Sequence, residues 1–181
     1  MKHFTLLSFL LFFALAMNAQ QVEINWMSIE EAQAAQKTKP RKILIDVYTK
    51  WCGPCKMMMK NTFANADVIK YINENYYAVK FDAESPDEVS FKGQLFSNPD
   101  YVPNKAGRNG VHQLSRYWSV RAYPTIVYMD EELNILAPIS GYKTPQQLEL
   151  HLKFFSEDGH KTISTQEQWQ QYQAAFKPEF N

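Results

Sequence analysis

Apolar positions along the chain fall into short runs, and the spacing within each run predicts an element. Ile43-Leu44-Ile45-Asp46-Val47-Tyr48, opening after Pro40, is β-branched and aromatic in character and predicts a buried strand. Lys56-Met57-Met58-Met59-Lys60 is made of good helix formers, with Pro54 suited to the first turn. Val68, Ile69 and Ile72 give the segment Asn65 to Asn75 an apolar helical stripe, and Tyr76 to Phe81 predicts the next strand. Val89 to Phe96 alternates around Gly93, the pattern of a small hairpin. Ile126 to Met129 and Ile135 to Ile139 predict two more strands, and Thr144-Pro145-Gln146 opens a helix that runs to about Phe155.

Two peripheral helices frame these elements. Ser28 and Glu31 have the spacing of a capping box for a helix over Ile29 to Lys37, polar apart from a few alanines and therefore expected at the periphery. Thr165 to Phe176 carries Trp169, Tyr172 and Phe176 on one face. That face suits either packing back on the domain or docking a partner, and the pattern does not choose between them.

The chain opens with Met1-Lys2-His3 and an apolar run from Phe4 to Met17. A short basic start, an apolar core and small residues beyond it have the form of a secretory signal, with cleavage expected after Ala19 or, alternatively, Ala16. The run is too short and wrongly flanked for a transmembrane helix, and no cysteine stands at the cut to take a lipid. The expectation is an exported protein, periplasmic or secreted, with no stable membrane insertion once the signal is removed.

The chain has 181 residues, so removal of the signal leaves enough for a substantial core, and the 14% aromatic content suits one. Nineteen basic and nineteen acidic side chains balance, which points to neither nucleic acid nor an anionic membrane as a partner. The expected divisions are residues 1–19 as signal, 20–39 as an N-terminal extension with a helix, 40–155 as the main domain, and 156–181 as a C-terminal extension.

Chemistry concentrates at Lys50-Trp51-Cys52-Gly53-Pro54-Cys55-Lys56, which holds the only two cysteines. They stand where a strand turns into a helix. A thiol at a helix N-terminus faces unpaired N–H groups and the positive end of the dipole, which favours its thiolate. Cys52 has that position, while Cys55, nearly one turn further in, is expected to be the more sheltered. An exposed nucleophile with a sheltered resolving thiol is what thiol–disulfide exchange requires, and Gly53 offers no side chain to obstruct a substrate sulfur.

Two other readings remain open at this level. A structural disulfide across so short a loop restrains little of the unfolded chain. A metal site would want four ligands for zinc, and there is no second cysteine pair; His151 and His160 are too widely spaced to supply one. Cu(I) could take the two thiolates near Met57 to Met59, which keeps a binding module or copper carrier as the alternative function. For the methionines themselves, helix packing is the favoured reading.

Asp46 through Lys56 resembles the active-site segment of thioredoxins, and the likeness continues at Val79-Lys80-Phe81-Asp82, at Val120-Arg121-Ala122-Tyr123-Pro124-Thr125 and at Gly141. It covers residues 40 to 155. The resemblance implies an α/β thioredoxin-like fold, a mixed central sheet with helices on both faces, in which Val111 to Trp118 is the helix before the proline loop. It implies a protein-disulfide reductase or oxidoreductase with no metal and no organic cofactor. Cys52 and Cys55 would be the redox pair and Asp46 the buried acid accepting the Cys55 proton, although a strand carboxylate can also simply cap an edge. Lys80 would modulate that acid. Trp51, Gly53, Pro54, Tyr123 and Pro124 would contact substrate, the Tyr123–Pro124 bond being cis and the Tyr123 backbone pairing with substrate as a short added strand.

The Gly-Pro dipeptide resembles reducing members, so the expected partners are protein disulfide substrates and a membrane thiol-electron donor. The chain departs from the family pattern between Lys80 and Pro124, where it is longer than the simple fold needs. The extra residues, about 85–110, form a loop-rich insertion that is either functional or an inert surface excursion.

Overall fold

A computed structural model describes residues 23–181; the expected signal segment, residues 1–19, lies outside them. At the centre is β2 (Lys42–Tyr48), in which every residue but the last is buried. It pairs in parallel with β3 (Tyr76–Asp82) on one side and antiparallel with β6 (Thr125–Met129) on the other. The short β1 (Trp26–Met27) and β7 (Ile135–Ser140) complete a five-stranded mixed sheet of order β1-β3-β2-β6-β7.

Alternation along β2 divides the core into two layers. Ile43, Ile45 and Val47 point to a layer shared with Val79, Phe81, Leu114, Trp118, Val127 and Met129. On this face lie α1 (Ile29–Gln36) and α4 (Gln113–Tyr117). Leu44 points to the opposite layer with Met58, Ile69, Ile72, Ile126, Tyr128, Leu148 and Phe155, contributed largely by α2 (Gly53–Asn61), α3 (Ala66–Asn75) and α5 (Pro145–Ser156). None of the described helices is long and apolar enough to cross a membrane.

Several local expectations hold with their mechanisms visible. Ser28 and Glu31 form the capping box of α1, and Thr144 and Gln147 form another at α5. Asn65 caps α3, so the helical stretch after the cysteines is two helices. The hairpin is β4 (Val89–Phe91) with β5 (Gln94–Phe96), joined through Lys92 and Gly93, both at positive φ as a tight two-residue turn demands.

Two expectations change. Helix α1 is not peripheral: Ile29 and Ala32 are buried in the core, because the small alanine lets the helix approach the sheet closely. The helix over Val111 to Trp118 is shorter, since His112 serves as its cap, its Nδ1 accepting the Leu114 N–H at 3.1 Å.

The C-terminal segment packs back on the domain. After the short α6 (Gly159–Thr162), α7 (Gln166–Ala175) lays Trp169 and Tyr172 against Phe154 of α5, with ring centroids 4.9 and 5.2 Å apart. Beyond it, the fully buried Glu149 carboxylate accepts the backbone N–H groups of Glu179 and Phe180 and pairs with Lys153 at 2.7 Å.

Candidate active site

Strand β2 ends at Tyr48 and the chain turns through Thr49 to Trp51 into α2, with Cys52 as the N-cap. Cys52 and Cys55 are joined as a disulfide, their Cα atoms 5.3 Å apart. The Cys52 Sγ also accepts the Cys55 N–H at 3.1 Å, so the sulfur takes the place of a capping oxygen at the positive end of the helix. Pro54 occupies the first turn, where no N–H is missed. In this disulfide form the expected contrast in exposure is absent: Cys52 is 2% and Cys55 4% exposed. The bond and the capping contact both turn the Cys52 sulfur inward. What faces solvent is the frame around it, Trp51, Gly53 and Pro54. A Cβ built on Gly53 would meet no atom of the protein within 4 Å, so bulk there would be felt by an incoming partner alone.

Asp46 shares the Leu44 face of β2, the face on which α2 packs. It is 2% exposed, and its Oδ1 has no hydrogen-bond partner. Burial raises its pKa from 3.8 to about 7, against the opposing pull of the Lys80 charge. Lys80 stands opposite Asp46 in the β2–β3 register. Its ammonium makes no ion pair with the carboxylate; it lies 5.0 Å from the Tyr48 ring centroid and 5.9 Å from that of Trp26, with the Met59 Sδ at 3.3 Å. A lysine ammonium so near Met59 disfavours a metal cation on that thioether. Met58 is fully buried in the core and Met57 points to solvent, so the methionine run packs a helix. Among the described residues no three His, Cys, Asp or Glu side chains gather as a metal site.

The loop before β6 brings Tyr123 and Pro124 to the same end of the sheet. Their peptide bond is cis. The Pro124 carbonyl accepts the Gly141 N–H at 2.8 Å, and the Thr125 hydroxyl bonds the Ala122 carbonyl at 2.8 Å, which pins the loop on both sides. Tyr123 meets Trp51 edge to face, centroids 5.9 Å apart.

The sequence matches the thioredoxin-like domain family over residues 29–156. The chain belongs to the thioredoxin-like family. A thioredoxin-like protein of Synechocystis sp. is 31% identical over 75 residues, covering 41% of this chain and 68% of that protein. Thioredoxin-2 of Saccharomyces cerevisiae is 29% identical over 83 residues, 45% of this chain and 74% of that one. Among solved structures, a thioredoxin-fold protein from Helicobacter pylori superposes with a TM-score of 0.58 at 16% identity, over 87% of this chain and 91% of that one. The thioredoxin-like oxidoreductase assignment thus rests on the domain match and on a cysteine pair at disulfide distance.

Sequence reasoning missed a third wall of this thioredoxin-like site. Glu84, just past β3, accepts the Trp51 indole N–H at 2.9 Å and, on the same oxygen, the Asn109 backbone N–H at 2.9 Å. Arg108 lies over the Trp51 ring at 4.6 Å. The extra residues therefore fold back to the redox end of the sheet. Two asparagines hold them there. Asn98 donates to the carbonyls of Ser85 and Gly110, and the Asn109 side-chain amide accepts the Val102 N–H and donates to the Val102 carbonyl. The signal for this lay in polar loop residues without periodicity, which mark a loop and not the surface it covers.

Proposed function

We propose that the protein is a thiol–disulfide oxidoreductase that reduces protein disulfides outside the cytoplasm. The observation that carries this reading is the bonded cysteine pair at the start of α2, with Cys52 as the cap, beside a strand that buries Asp46 with its Oδ1 unpartnered. In the reduced protein the Cys52 thiolate, favoured by the helix N-terminus, attacks one sulfur of a substrate disulfide. That S–S bond breaks, a Cys52–substrate disulfide forms, and the second substrate sulfur leaves as a thiolate and takes a proton. Asp46, ionised in part near neutral pH, accepts the Cys55 proton. The Cys55 thiolate then attacks the Cys52 sulfur, closing the Cys52–Cys55 disulfide and releasing the remaining substrate sulfur as a thiolate, which takes a proton. Two electrons pass to the substrate, and a thiol donor returns the pair to the dithiol.

Trp51, Gly53, Pro54, Tyr123 and Pro124 form the substrate contact surface in this reading, and Lys80 tempers the charge of Asp46. The location rests on the N-terminal signal pattern, and a donor working there would be membrane-borne. Trapping tests the proposal: a Cys55→Ala variant exposed to extracytoplasmic proteins should accumulate mixed disulfides through Cys52, and the wild-type protein should reduce insulin. Absence of both adducts and insulin reduction would refute the reading.

A further inference from the structure

A groove of about 510 Å³ opens beside Trp51, next to the redox pair, and its lining includes Tyr123 and three arginines, Arg108, Arg116 and Arg121. Glu84 is the single carboxylate in its lining, and one of its oxygens is already committed to Trp51 and Asn109. In a chain whose acidic and basic side chains balance at nineteen each, three guanidiniums in one groove are a local concentration of charge. Among the described residues neither Arg108 nor Arg121 has an ion-pair partner; Arg116 pairs with Asp100 at 3.1 Å, both side chains more than half exposed. A pair so exposed is readily exchanged for a better one.

Taking the reductase reading as its basis, we propose that this groove selects substrates carrying aspartate or glutamate beside the disulfide cysteine, with Arg108 and Arg121, the two arginines without an ion-pair partner, as the specificity-determining residues. A substrate strand laid along Tyr123 would send flanking side chains toward Arg121, two residues away, and toward Arg108, which lines the same groove and stacks over Trp51. Guanidinium forks pair with carboxylates through two parallel hydrogen bonds, which gives orientation as well as attraction. Stacking on Trp51 fixes Arg108 before substrate arrives, so less side-chain freedom is lost on binding.

The test uses the full-length protein in its dithiol form and three disulfide-bonded peptides, identical except for Glu, Gln or Lys on either side of one cysteine. A carboxylate about 6 Å from one guanidinium in water gains about threefold in occupancy, so two such pairs predict about a tenfold faster second-order oxidation of the dithiol by the Glu peptide than by the Gln peptide. The preference should be largest at about 0.01 M salt and vanish near 1 M, where the Debye length falls to about 3 Å. Arg108→Gln with Arg121→Gln should bring the ratio toward one, and Arg108→Glu with Arg121→Glu should turn it in favour of the Lys peptide, an inversion that structural damage would not produce. Equal rates for the three peptides, or a preference that survives in the double variants, would overturn the proposal. Bis(2-hydroxyethyl) disulfide, which is uncharged, separates the two levels. If it oxidises the dithiol while the peptides show no preference, only the specificity fails. If no disulfide reacts, the reductase reading falls and this inference with it.

Discussion

Replacing Asp46 with asparagine should abolish a specific loss of stability that the oxidised protein suffers as pH rises. The carboxyl is 2% exposed and one oxygen is unpartnered, so the folded protein holds its proton up to about pH 7 while an ordinary aspartate releases it near 3.8. Between those values the folded state binds more protons than the unfolded one, and each step up in pH favours unfolding. Below about 4 both states are protonated and the effect is nil; above about 7 both are ionised and the loss is complete. The interval corresponds to about 4 kcal/mol. Asparagine carries no charge at any of these pH values, but its amide finds no evident partner, a constant offset of about 1–3 kcal/mol. Urea unfolding of wild-type and Asp46→Asn protein, both as the disulfide, should be compared in steps from about pH 4 to 8. The difference in unfolding free energy should move by about 4 kcal/mol in favour of the variant as pH rises, and other titrating groups cancel in it. A difference that stays flat across this range would show that Asp46 is not the raised group, and would remove the basis for its taking a proton from Cys55.

Other expected outcomes are as direct. In the reduced protein Cys52 should be alkylated before Cys55 as pH is raised, because its sulfur caps α2; peptide mapping after a short exposure decides it, and faster labelling of Cys55 would reverse their roles. Glu149→Ala should cost about 1–3 kcal/mol, since it strips two backbone N–H groups of their buried acceptor while Lys153 keeps Glu179; thermal melting measures the loss, and limited proteolysis should cut beyond Phe176. Gly110→Ala should detach the loop over Trp51, because a Cβ there would lie 2.4 Å from the Asp100 backbone; the check is new protease sensitivity between residues 98 and 112 with the core melt little changed.

The parts of this fold most legible in the sequence are those where one local pattern decides the outcome. The Ile43–Tyr48 run reads as a buried strand from its β-branched residues, and Pro54 with the helix formers Lys56 to Lys60 marks the helix that follows. Helix α1 is harder, because its two buried apolar positions, Ile29 and Ala32, make too thin a stripe to distinguish a packed helix from a peripheral one. Glu149 shows the opposite failure: a carboxylate on the buried face of α5 reads as a break in the pattern until the backbone it binds, thirty residues on, is in view. The site divides likewise. Cys52 and Cys55 stand out by residue type and spacing, and Asp46 and Tyr123-Pro124 by the resemblance to thioredoxins, whereas Glu84, Arg108 and Asn109 act through contacts between distant loops. The shelter of Cys52 in the disulfide form is not legible, because position at a helix start says nothing of where the sulfur turns once it is bonded.

The excursion between β3 and α4 leaves and returns at nearly one point, since the His112 N–H donates to the Ala83 carbonyl at 2.8 Å. Such an excursion looks exchangeable as a block, yet its two halves answer to different constraints. Val89, Phe91 and Phe96 pack into the core around Trp118, so excising the first half would lay bare the aromatic centre of the domain. The second half, from Asn98 to Gly110, contributes its contacts to the groove and its neighbouring loops. A loop graft intended to retarget the protein should therefore begin after Phe96 and end before His112, leaving the hairpin as a fixed foundation for a replaceable recognition segment.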